Sequence, residues 1–336
     1  MKATTSEIYK GKKLKIAFTD FVQPDLDLET EMIADAGLEM CVAEPHCQTE
    51  QEVIDFVKRC GANAIVSLYA PIGKATFEAL PNLRVVSVPL VGVDSIDIDA
   101  ARQAGVWIAH IPDAWVSEVG VHAVAMGLSL IRHLPFYDRA IREKRWNYEE
   151  TGVLHRPSEL TFGILGCGRI GQQAARSAQP SFGRVIAYDP FMPSDVWPDW
   201  IERVKTLEEL FEKSTVVSLH TPLTPQTHHI VNMDMLGRMK RGSFIVNASR
   251  GALIDPKALL DAMDSGHIAG AGLDVFEQEP PNPDDPLLHH PRTICTPHAA
   301  YYSIEADLEG RSRAIKNIID FNKNGRPNHT VVEGTR

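Results

Sequence analysis

The tightest constraint on this chain lies at residues 160–171, Leu-Thr-Phe-Gly-Ile-Leu-Gly-Cys-Gly-Arg-Ile-Gly. An apolar run narrows into glycines spaced G-x-G-x-x-G and opens into a helix-like segment, residues 172–179. Such a stretch predicts a strand, a tight turn and a helix in immediate succession. Gly166 allows the turn, Gly168 lets the backbone approach a pyrophosphate, and Gly171 lets the new helix close on the sheet. The helix start offers unpaired N–H groups and a positive dipole end to phosphates. A second apolar run, Arg184–Tyr188, ends in Asp189, about 20 residues past the glycines, where a carboxylate grips adenosine ribose hydroxyls. A carboxylate there repels a 2′-phosphate, and no arginine occurs among Pro190, Phe191 and Met192. The expected cofactor is therefore NAD rather than NADP.

Before this loop, apolar runs at 14–18, 38–43, 64–69, 84–88 and 106–110 alternate with helical patterns at 29–36, 49–60, 74–80 and 97–103. Alternation of this kind predicts a parallel sheet covered on both faces. No glycine fingerprint occurs here, so this unit is not the expected nucleotide site. Pro112 closes it, and an apolar helix is expected over 116–133. The loop then opens a second series of strands at Thr161–Leu165, Arg184–Tyr188, Val216–Leu219, 243–246, 270–273 and Thr293–Cys295, which suits a doubly wound sheet. A last helix over 303–322 places Leu308, Ile315, Ile318 and Ile319 on one face. The fold class expected is α/β with two doubly wound parallel-sheet domains.

A length of 336 residues suits about two domains. The formal charge of −10 argues against nucleic acid or an anionic membrane as the main partner. The N-terminus lacks the apolar core of a signal peptide. The most apolar stretch, 119–134, carries His122, Arg132 and His133 and falls short of the ~20 residues needed to span a bilayer. The five cysteines are odd in number and lack metal-type pairing, so they read as reduced, buried or half-buried thiols of a cytoplasmic protein.

Three polar residues follow strands of the second series: Arg250 after 244–249, Glu279 after 272–278, and His298 after 294–297. A parallel sheet brings such residues to one edge. An arginine fork holds a carboxylate, a histidine moves a proton near neutral pH, and a carboxylate on its second nitrogen fixes the tautomer. Taken singly, each is an ordinary loop residue. Converging on a dinucleotide loop, they form the parts needed to reduce a 2-keto acid. The pairs His228-His229 and His289-His290 are not read as metal ligands, because adjacent histidines are expected to point apart and no third ligand is placed. No G-x-S-x-G elbow occurs, which sets aside a serine hydrolase.

The chain resembles the D-isomer-specific 2-hydroxyacid dehydrogenases, a family that includes phosphoglycerate dehydrogenases and glyoxylate/hydroxypyruvate reductases. The matching pieces are residues 91–97, 163–171, 220–227, 246–255, 272–280 and Thr296-Pro297-His298, in family order. The resemblance implies a Rossmann domain at 114–301, inserted into a discontinuous flavodoxin-like substrate domain made of 1–113 and 302–336, with the site in the cleft between them. It implies that Arg250 binds the substrate's carboxylate and carbonyl, that His298 is the acid/base, and that Glu279 orients it. Backbone N–H groups of Val91 and Gly92 would hold the carboxylate. Cofactor contacts would map onto Gly166, Gly168, Arg169, Ile170, Gly171, Asp189, Thr221, Pro222, Thr227, Ala248 and Asp274, the last facing the nicotinamide carboxamide. The apolar helix over 116–133 would help form a homodimer.

One departure is Val121, where family members often carry an acidic residue before the histidine; His122 is read as structural. The segment after His298 is most similar to the branch containing the C-terminal-binding-protein corepressors, with Tyr301 in place of that branch's aromatic. Tyr301, Leu68 and Tyr69 are expected to line the substrate pocket. The leading expectation is an NAD-dependent 2-keto acid reductase acting on a small acid. An NADH-sensing corepressor-like binding protein and a phosphoglycerate dehydrogenase are the alternatives.

Overall fold

The computed structural model describes residues 14–23 and 25–336, so the N-terminal segment read for a targeting signal lies outside the described residues. The chain divides into two compact units, Met1–Ala114 with Ser303–Arg336, and Trp115–Tyr302.

In the first unit the strands are β1 (Lys15–Phe18), β2 (Glu39–Val42), β3 (Ala64–Val66), β4 (Val85–Ser87) and β5 (Trp107–Ala109). Their order is β2-β1-β3-β4-β5, all parallel, with the last strand of the chain, Thr330–Val332, antiparallel on the β5 edge. The sheet is thus mixed where a parallel one was expected. A three-residue Thr-Val-Val run after a long helix carries too little pattern to announce itself.

The helices between are α1 (Asp27–Asp35), α2 (Glu50–Cys60), α3 (Lys74–Ala79) and α4 (Ile98–Ala104). Helix α2 forms where the sequence dictates it: Thr49 and Glu52 make a reciprocal capping box, Val53, Ile54, Phe56 and Val57 are buried, and Gly61 ends it at φ 67°. Strand β3 is three residues shorter than its apolar run. The buried Asp20 carboxylate accepts from the Ser67 hydroxyl and the Leu68, Tyr69 and Ala70 amides at 2.5–3.2 Å, which takes those three amides out of the ladder.

The final helix, Ile304–Asn324, is bonded into this N-terminal unit. Ser87 donates to Ala314 O at 2.9 Å, Asn317 donates to His110 O at 3.0 Å, and Arg313 pairs with Asp113. Ile315 and Ile318 are fully buried, but Leu308, expected on the same face, is exposed.

The second unit carries β6 (Thr161–Leu165), β7 (Arg184–Tyr188), β8 (Glu202–Arg203), β9 (Val216–Leu219), β10 (Ser243–Asn247), β11 (Ile268–Leu273) and β12 (Thr293–Cys295). Their order is β8-β7-β6-β9-β10-β11-β12, all parallel. Strand β8, two polar residues on an edge, has no apolar signal in the sequence. The order reverses between β6 and β9, and in doubly wound sheets the ligand crevice opens beyond the strand ends at that point.

The apolar stretch after Pro112 is two helices rather than one, α5 (Val116–Ile131) and α6 (Leu134–Arg142), bent by 59°. His133 between them is left-handed at φ 52°, and Pro135 can open a helix but cannot continue one. Helix α5 lies directly on the sheet: a Cβ on Gly127 would meet Phe162 at 3.2 Å, and one on Gly272 would meet Met126 at 3.0 Å. Among the described residues no single helix is long and apolar enough to cross a membrane. All five cysteines are free; Cys295 is exposed rather than buried.

Candidate active site

The glycine loop follows β6 and precedes α7 (Arg169–Ala178). Gly166 has φ 92°, and a Cβ on it would lie 2.6 Å from His220 O. A Cβ on Gly171 would lie 2.0 Å from Gly166 O, so both positions exclude any side chain. Gly168 is the opposite case, with nothing within 4 Å of its Cβ direction. That open approach to a helix N-terminus is the cradle a pyrophosphate needs, and the residues present fit a dinucleotide.

Register sets the neighbours of this cradle. Leu165 pairs with Tyr188, so Asp189 sits beside the loop and its carboxylate accepts from Cys167 N at 2.9 Å, Phe191 N at 2.9 Å and Met192 N at 3.1 Å. Across the switch point, His220 follows β9; its Nε2 lies 2.9 Å from Ser218 Oγ, and its buried Nδ1 has no hydrogen-bond partner among the described residues. Burial pushes His220 down to about 4, so it is neutral at neutral pH. The next loop holds Thr221, Pro222 and Thr227. The buried Thr227 hydroxyl donates to Pro222 O at 2.7 Å and accepts from Thr224 N at 2.7 Å. Ser249 donates to Thr221 O at 2.8 Å and so ties this loop to the segment after β10, where Ala248 lies.

On the other side, Asn247 pairs with Leu273 and Leu273 with Cys295, which brings the ends of β10, β11 and β12 to one level. Asn247 shapes the turn to Arg250: its amide donates to Arg250 O at 2.9 Å and its Oδ1 accepts from Ser249 N at 3.0 Å. A Cβ on Gly251 would meet the Phe276 carbonyl carbon at 2.0 Å, so this glycine lets the Arg250 loop lie against the backbone that carries Glu279. Glu279 Oε1 accepts from Phe276 N at 3.0 Å, while Oε2 lies 2.5 Å from His298 Nδ1. Burial pushes the Glu279 carboxyl up, but the His298 imidazole, the Phe276 amide and the nearby Arg250 charge outweigh it and hold the carboxyl below its usual range. Arg250, Glu279 and His298 are thus brought together.

His298 itself is left-handed, φ 51°, a backbone state that costs a non-glycine residue about 1 kcal/mol or more. Asp274 over-determines it. This fully buried residue accepts at its carboxylate from Ala299 N at 2.8 Å, Ala300 N at 3.0 Å and the Thr296 hydroxyl at 2.5 Å, and its carbonyl accepts from His298 N at 2.8 Å. With both oxygens committed to its own chain, Asp274 is first a clamp on the histidine's backbone. His122 reaches the same clamp, Nε2 3.1 Å from Thr296 Oγ1. Tyr301 stands edge-on to the imidazole at 6.5 Å between centroids and is backed by Trp115 at 5.3 Å. Thr296, Gly251 and Asn247 lie in the matching pieces without a role being expected of them; their polar or small character at strand ends is the signal that could have found them.

The remaining expected contacts lie in the first unit. Val91 and Gly92 are half-buried in the loop after β4, Leu68 is buried, and Tyr69 is exposed.

One expectation is overturned. His228 and His229 do not point apart: their rings stack at 4.0 Å, and His229 Nε2 lies 2.5 Å from Glu277 Oε1, which supplies the third ligand atom that the sequence did not place. The cause is local: His229 is left-handed at φ 51° and its N–H is tied to Ala252 O at 2.9 Å.

A dinucleotide cradle with a histidine–carboxylate pair and an arginine at the ends of neighbouring strands defines a nicotinamide-dependent oxidoreductase. Residues 124–300 match the model of the D-isomer specific 2-hydroxyacid dehydrogenase NAD binding domain. The chain is 38% identical over 287 residues to a glyoxylate reductase from Korarchaeum cryptofilum, covering 84% of this chain and 86% of that one. It is 36% identical over 288 residues to a D-3-phosphoglycerate dehydrogenase from Bacillus subtilis, covering 82% of this chain but only 54% of that protein. A glyoxylate reductase structure from Paecilomyes thermophila superposes with a TM-score of 0.85 at 28% identity, over 95% of this chain and 98% of that one. The chain belongs to the D-2-hydroxyacid dehydrogenase family, as an NAD-dependent enzyme.

Proposed function

We propose that this enzyme reduces a small 2-keto acid to the D-2-hydroxy acid, with His298 as proton donor, Glu279 as its orienting carboxylate and Arg250 as anchor of the substrate's carboxylate and carbonyl. The observation that carries this reading is the His298 Nδ1–Glu279 Oε2 contact of 2.5 Å in the field of Arg250. Glu279 accepts at Nδ1, which fixes the proton there in the neutral ring and leaves Nε2 to exchange a proton with the substrate oxygen. Among the described residues Nε2 of His298 makes no hydrogen bond. When bound, the nicotinamide supplies the hydride. Arg250 draws the keto oxygen's electrons as charge develops, and an imidazolium at His298 quenches the alkoxide. Tyr301, held by Trp115, would wall the side of the pocket next to His298.

Arg169, Ile170, Thr221, Pro222, Thr227, Ala248 and Asp274 are assigned to the dinucleotide, and Asp189 to its adenosine ribose. A carboxylate at Asp189 favours NAD over NADP. The likeness to a glyoxylate reductase over most of both chains supports a short keto acid such as glyoxylate or hydroxypyruvate. A phosphoglycerate dehydrogenase is the alternative, on the 36% identity to the Bacillus subtilis protein, of whose length the chain spans about half. We assign the enzyme to the cytoplasm, in keeping with its five free thiols, and to a homodimer built on α5 and α6, where Val121, Leu134 and Ile141 are exposed apolar residues. Assaying glyoxylate, hydroxypyruvate and larger 2-keto acids with NADH and NADPH tests the reading; NADH binding without turnover on any of them would contradict it.

A further inference from the structure

We propose that His228, His229 and Glu277 form a binding site for a zinc-type divalent ion, linked to the catalytic pair through the loop that carries Glu279. One ligand atom from each residue lies within 4.8 Å of the other two. Around a tetrahedral zinc ion with bonds of about 2.1 Å, neighbouring ligand atoms lie about 3.4 Å apart, so modest side-chain rotation closes the set. His229 Nε2 and Glu277 Oε1, hydrogen-bonded at 2.5 Å, need only part to that spacing, and the exposed His228 is the side chain with room to turn. Two imidazoles and one carboxylate are donors of the kind zinc takes, and three protein ligands leave a fourth position open.

The backbone is arranged for it. His228 N donates to Thr224 O at 2.9 Å and His229 N to Ala252 O at 2.9 Å, which fixes the dipeptide. The left-handed residue His229 then sets two consecutive rings side by side, at a strain of about 1 kcal/mol or more.

The link to catalysis is short. Glu277 directly follows Phe276, whose N–H holds Glu279 Oε1 at 3.0 Å, and Glu279 Oε2 holds His298. An ion seated among the three side chains parts the His229–Glu277 contact, shifts the Phe276–Glu277 backbone and turns Glu279 off His298. Zinc is therefore expected to inhibit, by occupying a site apart from the substrate's. The inhibition, but not the binding, rests on the assignment of Glu279 and His298 as the proton-transfer pair.

The test is calorimetric titration of the full chain with zinc chloride, alongside NADH-dependent glyoxylate reduction at the same zinc concentrations. Wild type, His228→Ala and Glu277→Gln are compared, with thermal melts of each to show that they fold. We expect zinc to bind wild type and to reduce turnover with the same midpoint. Both variants should bind at least about tenfold more weakly and lose the inhibition in parallel. Cobalt(II) should give tetrahedral visible bands in wild type that His228→Ala abolishes. Equal zinc affinity in wild type and His228→Ala would overturn the site, since that variant leaves His298 and Glu279 free to chelate. Zinc bound by wild type without loss of turnover would overturn the link to the catalytic pair.

Discussion

Two histidine–glutamate pairs stand on the same edge of the second sheet, and their likeness is close. His298 meets Glu279 at 2.5 Å and His229 meets Glu277 at 2.5 Å; both histidines are left-handed at φ 51° and both pairs are partly open to solvent. The difference lies in which nitrogen the carboxylate takes and in what surrounds the ring. Glu279 takes Nδ1 of His298, leaving Nε2 at the tip of the ring, with Arg250 nearby and Tyr301 beside it. Glu277 takes Nε2 of His229, so the tip is spent, and the neighbouring ring is another imidazole rather than a phenol. A short histidine–carboxylate contact is therefore no proof of a proton-transfer pair. The free nitrogen and the charge that will meet the substrate decide it, and the second pair is better suited to holding an ion.

The largest expected effect separates the two. His298→Gln should lower kcat for keto acid reduction by about 10² to 10⁴ while NADH affinity, read by fluorescence titration, stays within a few-fold. His229→Gln should change kcat by no more than a few-fold; a loss as large as that of His298→Gln would break the distinction. Arg250→Ala should cost about 10² to 10³ in kcat/KM, because one charged donor to the developing oxyanion is lost. Unchanged kcat/KM with altered NADH binding would reassign it.

Next in size is Gly251→Ala. Its Cβ falls 2.0 Å from a backbone carbon of Phe276, so the loop carrying both glutamates must shift, and kcat should fall by about tenfold or more with stability reduced. Crystals showing Glu277 and Glu279 unmoved would contradict this.

The smallest effect concerns stability and a third histidine, which has no carboxylate at all. His220 is held at about 4 by burial, below its ordinary 6.5. The unfolded chain therefore takes up a proton that the folded one refuses as pH falls from 6.5. Stability should be complete above about 6.5 and decline by roughly 3 kcal/mol in all as pH drops toward 4. Chemical denaturation across that window should show a slope that His220→Gln removes; the same slope in the variant would place the cause elsewhere.

Much of this was legible in the sequence, and the reason is periodicity. Strands β6, β7 and β9 coincide with their apolar runs because each is an inner strand with a buried middle, the edge strand β12 coincides with its run as well, and parallel order then brings Arg250, Glu279 and His298 to one edge. What failed to show has equally physical causes. Strand β8 and the strand Thr330–Val332 are edge pieces too short for a pattern. The Asp20 clamp that ends β3 joins groups 47 to 50 residues apart. The stacking of His228 on His229 depends on a left-handed backbone that no residue-type rule predicts for histidine. Asp274 entered the sequence reading only as what the resemblance implied, facing a nicotinamide carboxamide; its grip on the His298 backbone left no pattern to read.

The central claim is that His298 and Glu279 act as one unit. A double-mutant cycle on kcat for glyoxylate reduction, using His298→Gln, Glu279→Gln and both together, measures this directly. The account predicts that adding Glu279→Gln to His298→Gln costs almost nothing further, although Glu279→Gln alone costs at least about tenfold. Fully additive losses would contradict it, because the glutamate would then be working on something other than the histidine.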